Sequence, residues 1–213
     1  VAIAITILLF RLIGPARTRF AAQILAAIIG AGMDLVAAEG LEALTLQAVA
    51  DRVGLSKSGV FSRVGSRETL QKAVVQEFGR RFLADVFVPA MQQPKGLPRL
   101  DAIVTRWYAR LARPEPHNGC IYIPSAFELD DREGELRDFL LKEVVGWRAA
   151  LRRTVLQSIE AGHLRGDTVP EQLVGEIYGL AIGLLHDTRF LRDPTALART
   201  TACWQRLRGN YLA

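Results

Sequence analysis

The chain has 213 residues, 50% of them hydrophobic, and a formal net charge of +5, which is length enough to bury a real core in one long domain or two small ones. Its two cysteines, Cys120 and Cys203, are far apart and lack metal-ligand spacing. Its three histidines (His117, His163, His186) fall in different segments. With no Gly-rich phosphate loop and no nucleophile motif, these features exclude an enzyme and give no reason to expect a cofactor or metal. Each cysteine reads as a small buried hydrophobe in a reducing cytoplasm, with a redox role for Cys120 as the alternative.

Residues 1–13 (VAIAITILLFRLI) are apolar except for Thr6 and Arg11. The run is shorter than the roughly 20 residues a membrane-spanning helix needs. It also lacks the basic start and cleavage site of a secretory signal. Three readings stay open for residues 1–16: an extension packed on the protein, a stretch arising from a misplaced start, or a peripheral anchor. A first helix is expected over 18–38, with Ile24, Ile28, Ala31 and Leu35 on one face.

Residues 45–70 (TLQAVADRVGLSKSGVFSRVGSRETL) read as two short helices and the start of a third. Thr45 is a good N-cap for a helix ending near Val53, and Leu46, Val49, Ala50 and Val53 recur at helical spacing. Gly54 tolerates the sharp turn. Ser56 caps a helix over 57–64 that carries Val60 and Val64 on one side, and Gly65 and Ser66 then open the next helix. Two helices joined by a short turn containing Gly form a helix-turn-helix, whose second helix enters the DNA major groove. Charge agrees with this placement: residues 11–81 hold ten basic and six acidic side chains, and the remainder is nearly balanced.

This stretch, with Ile24–Ala27 and Ala38-Glu39-Gly40 upstream, resembles the DNA-binding domain of the tetracycline-repressor (TetR) family of bacterial regulators. The chain carries Phe61 where the family usually has Tyr, Arg63 for His, Val64 for Phe and Arg67 for Lys. The domain is expected over 17–66. Lys57, Ser58 and Gly59 lie at the helix N-terminus nearest the base edges, with Ser62 and Arg63 a turn further on. Thr45 and Gln47 are placed for phosphates. Phe61 reads either as a contact to sugar or a thymine methyl, or as core. Arg67 resembles the family's phosphate-binding Lys. The family's members usually begin with a basic arm, a role open to Arg17 and Arg19.

The remaining residues, 67–213, are expected to form a helical ligand-binding and dimerisation domain, making an all-α chain of about nine helices. A connecting helix is predicted to reach Phe87 and stop before Pro89. Others follow over 97–113, 121–130, 134–161, 170–191 and 194–208. His163, after Gly162 at a helix end, reads as a capping residue. Gly119-Cys120, Phe127–Gly134, Arg137-Asp138, and Asp193-Pro194 with Leu197, Trp204 and Arg206 are similar to one branch of the same family.

Gly175, Gly179 and Gly183 recur every fourth residue and point to another backbone close by, in a dimer or within the subunit. The resemblance implies a dimer built on the last two helices, with Leu173, Ile177, Leu180, Leu184, Leu197, Trp204 and Leu207. It also implies a pocket for a small, mostly apolar effector. Trp107, Tyr108, Phe127 and Trp147 are candidate walls, with His117, Tyr122 and His186 as polar contacts; ordinary core is the alternative for each aromatic. The expected protein is a cytoplasmic, ligand-responsive repressor that binds a palindromic operator as a homodimer, with no membrane partner. The alternative is a helical small-molecule-binding or interaction protein that has lost operator binding.

Overall fold

A computed structural model describes residues 2–113 and 120–213, and side chains from Arg19 onward. The expectations for residues 1–16, for Arg17 and for His117 concern side chains outside those described. The chain is all-α: α1 (Ala2–Glu39), α2 (Leu46–Val53), α3 (Lys57–Val64), α4 (Arg67–Phe82), α5 (Val88–Ala90), α6 (Leu97–Leu111), α7 (Tyr122–Glu128), α8 (Glu135–Glu160), α9 (Pro170–Arg189) and α10 (Ala196–Gly209). No strand forms among the described residues. The chain divides inside α4 into two compact units, Val1–Val74 and Val75–Ala213.

In the first unit, Ile28, Met33, Leu35 and Val36 of α1 are buried with Val49 and Ala50 of α2, Val60 and Val64 of α3, and Leu70 and Val74 of α4. Ile24 and Ala31 are only partly covered. The stretch Arg19–Glu39 is long and apolar enough to cross a membrane, but its inner face is the core side of this helical unit. Side chains secure the short helices. Thr45 Oγ1 accepts from the Ala48 amide at 3.1 Å and Ser56 Oγ from the Gly59 amide at 3.0 Å. Each satisfies an amide that the helix start leaves without a partner. Gly54 ends α2 at φ 67°, ψ 33°, a left-handed conformation that costs a residue with Cβ about 1 kcal/mol.

In the second unit, α4 does not stop at Phe87. It passes into a π-helical turn, Leu83–Phe87, and then into α5, which contains Pro89. The Val88 amide reaches back to the Leu83 carbonyl. This wider turn dispenses with the i→i−4 bond that Pro89 could not make, so the path stays helical through a residue that ordinarily interrupts it. Trp107 sits at the centre of the core. Its ring meets Trp147 edge-on at 5.4 Å and Tyr178 at 5.0 Å. His163 does cap a helix, though a distant one: its Nδ1 accepts from the Leu97 amide at the start of α6, 3.1 Å away. Gly96 permits this approach, since a Cβ there would lie 2.4 Å from Nδ1.

Candidate nucleic-acid interface and ligand cleft

The surface of α3 follows from its anchors. Val60 and Val64 face inward, 0% and 7% exposed. With 3.6 residues per turn, Ser58 and Ser62 then face away from the core, and Lys57 and Phe61 flank them one turn apart. All four are exposed. Phe61 is 56% exposed, which removes the core reading of this residue. Gly59 is half-buried against the Ser56 cap. Ser62 Oγ donates to the Gly59 carbonyl at 3.0 Å, and Arg63 Nη1 to the same oxygen at 2.6 Å. These two side chains therefore lie along their own helix.

Around α3, Thr45 spends a lone pair on its cap, and Gln47 Nε2 donates to Asp51 Oδ1 at 2.7 Å. Arg67 departs from the expectation of a free phosphate contact. Its Nε donates to the Leu44 carbonyl at 2.9 Å and its Nη2 to the Glu42 carbonyl at 2.6 Å. The guanidinium thereby ties the start of α4 to the α1–α2 turn, whose carbonyls have no helical partner. Arg19 is exposed on α1, inside a helix rather than an arm.

The second unit holds a cleft of about 420 Å³ between α4 with its π turn and α8. Phe82, Leu83, Phe87, Trp147 and Ala150 make its apolar length, and Gly79, Tyr122, Lys142 and Glu143 its polar end. Tyr122 Oη donates to Glu143 Oε2 at 3.1 Å. Burial, and then the Glu143 carboxylate, push the Tyr122 phenol well above its ordinary range, so it remains a donor. Gly79 makes the arrangement possible, because a Cβ there would lie 2.3 Å from the Tyr122 hydroxyl.

Of the expected walls, Trp147 lines the cleft, as does Tyr122, expected as a polar contact. Trp107 and Tyr108 are buried behind it, and Tyr108 donates to the Ile177 carbonyl at 2.9 Å. Phe127 is no wall: it is 62% exposed on α7. His186 is also outside, exposed on α9, where it pairs with Asp187 and packs on Phe190. Sequence reasoning missed Phe82, Phe87 and Glu143. The available signals were Gly79 and Gly146, glycines inside long helices. Cys120 is buried, and burial pushes its thiol up, away from the reactive thiolate.

The α9 stripe is open. A Cβ on Gly175, Gly179 or Gly183 would meet nothing within 4 Å, so packing inside the subunit does not explain these residues. Leu173, Ile177, Leu184 and Trp204 cannot form the outer seam, because each is at most 2% exposed in the chain's own core. Helical periodicity places the three α9 residues among them on the face opposite the glycines. Trp204 Nε1 donates inward to Asp101 Oδ1 at 2.8 Å. The outer face pairs the stripe with half-exposed Leu180, Leu197 and Leu207. Cys203, half-exposed rather than buried, lines an apolar groove there of about 400 Å³ with Gly179, Leu180 and Leu207.

Residues 28–74 match the sequence profile described as bacterial regulatory proteins, tetR family, and residues 96–204 match the tetracyclin repressor-like C-terminal domain. No curated relative matches the sequence significantly. Among solved structures, a TetR transcriptional regulator from Chloroflexus aurantiacus superposes with a TM-score of 0.79 at 21% identity, covering 92% of this chain and 100% of that one. SCO4454, a TetR-family transcriptional regulator from Streptomyces coelicolor, gives 0.76 at 14%, covering 93% of each. AibR in complex with isovaleryl coenzyme A and operator DNA gives 0.69 at 16%, covering 88% and 97%.

Proposed function

Because the chain belongs to the tetracycline-repressor family of DNA-binding transcriptional regulators, we propose that it is a cytoplasmic repressor that binds a palindromic operator as a homodimer and releases it when a small, mostly apolar molecule fills the α4–α8 cleft. The observation that carries this reading is the outward face of α3. Lys57, Ser58, Phe61 and Ser62 stand in solvent while Val60 and Val64 fix the helix from behind. Lys57 is placed to donate to guanine O6 or N7, and the serines can bond several bases. The open glycine stripe of α9, with the apolar groove beside it, supports a two-fold pairing that sets two recognition helices about 34–36 Å apart.

The ligand half of the proposal is supported by the lining of the cleft and by AibR, a protein of this fold captured with an acyl-coenzyme A and its operator. Release requires that the effector bind the DNA-incompetent state better than the competent one, because equal binding shifts nothing.

The test is selection of DNA from a random pool, followed by titration of the selected duplex at rising salt. Affinity is expected to fall steeply with salt. Lys57→Ala should weaken binding several-fold and relax the base preference at the position it reads, while the unfolding midpoint stays unchanged. A pool that yields no enriched sequence, or unaltered affinity in this variant, overturns the reading.

A further inference from the structure

Phe61 is the largest side chain left in solvent on α3, and its chemistry restricts what it can meet. It can neither donate nor accept a hydrogen bond, so it offers nothing to a phosphate. It gains only by burying apolar surface, and 56% of it is available for that. Its neighbours on this side of the helix are polar: Lys57 one turn before, Ser58 three residues before, and Ser62 next in sequence. Ser62 and Arg63 are turned back onto the Gly59 carbonyl, so neither covers the ring. In the major groove, the apolar group on a base edge is the C5 methyl of thymine.

We propose that Phe61 is a specificity-determining residue that packs on a thymine C5 methyl in each operator half-site. The inference rests on the operator-binding reading above. It adds that a base is read by apolar contact, beside the hydrogen bonds of Lys57 and the serines. The same contact accepts the methyl of 5-methylcytosine and disfavours uracil, which presents the identical hydrogen-bonding edge without the methyl.

The experiment uses the duplex selected by the intact protein. Each thymine is replaced in turn by deoxyuridine, and the dissociation constant is read by fluorescence anisotropy. One position per half-site should weaken wild-type binding about fourfold when its methyl is removed, the worth of one buried methyl-sized group. In Phe61→Ala that position should become indifferent to the methyl. Phe61→Tyr, which keeps the ring, should retain the discrimination. Three results overturn the inference: no thymine sensitive to loss of its methyl, a sensitive thymine equally sensitive in Phe61→Ala, or a Phe61→Ala loss that is the same for every sequence, as packing on the sugar-phosphate wall would give. Failure to select any DNA is distinguishable, because it removes the operator-binding reading itself.

Discussion

The candidate DNA face comes from a single eight-residue helix, α3, whereas the cleft of the second unit is assembled from α4, its π turn, α7 and α8. The first is held by neighbours in sequence: Ser56 as a cap, Gly54 and Gly65 as turns, Val60 and Val64 as anchors. The second is held by residues brought together from far along the chain, such as the Tyr122–Glu143 bond beside Gly79. The contrast shows where each region is vulnerable. A local device fails by small steps, because each cap or turn contributes on the order of 1 kcal/mol. A packed aromatic cluster fails at once, because removing one ring leaves a cavity.

The hardest blow to the second region is Trp107→Ala. Its ring is 2% exposed and touches three other aromatic rings besides adjacent Tyr108. Unfolding in denaturant should show a loss of about 3–5 kcal/mol. Next is Gly79→Ala, which drives a Cβ into the Tyr122 hydroxyl and should cost about 1–3 kcal/mol. The clash is with the hydroxyl, since the next ring atom lies 3.5 Å away. Most of the penalty should therefore vanish in a Tyr122→Phe background, and a double-mutant cycle measures that coupling. Equal penalties in both backgrounds would mean that Gly79 serves something other than the tyrosine.

In the first region, Ser56→Ala should cost about 1 kcal/mol. Hydrogen exchange should show it first at the Gly59 amide, which loses its acceptor. The smallest effect is electrostatic. Glu77 takes hydrogen bonds from Arg80 and Arg81 on α4, which hold its carboxyl at about 2 against an ordinary value of 4.5. A lowered carboxylate pKa stabilises the fold above the ordinary value, and that contribution fades as pH falls from 4.5 towards 2. Glu77→Gln should therefore be less stable than the parent at pH 7, by under about 1 kcal/mol for pairs this exposed. The gap should close by pH 2, as thermal melts across that range would show.

The same contrast explains what the sequence made legible. The limits and caps of α2 and α3 are decided within four residues, so Thr45, Gly54, Ser56 and Gly65 could be read directly. Arg67 could not, because the carbonyls that occupy it belong to Glu42 and Leu44, more than twenty residues earlier. Phe127 and Trp147 look alike as aromatic positions in a string of letters. Only tertiary packing separates them: Phe82, Phe87 and Trp107 close on Trp147, while Phe127 stays exposed on α7. The glycine stripe of α9 was visible, but the face of each flanking aliphatic residue was settled by the helices that pack on α9, namely α6, α8 and α10, which leave Leu173, Ile177 and Leu184 buried and Leu180 half-open.

The π turn at Leu83–Phe87 carries a consequence for how the cleft changes over generations. Such a turn is an α-helix that has gained one residue. Deleting a single codon there would restore the regular spiral and leave everything after it facing nearly as before, because the widened turn had absorbed the extra residue. Where the codon lost is that of Phe87, the Trp147 ring, now 6.3 Å from it, would lose this neighbour. Elsewhere in a protein an indel of one is usually absorbed by a loop. Here it would remove one wall of the cleft, so a lineage could retune which molecule fits without a substitution at any lining position.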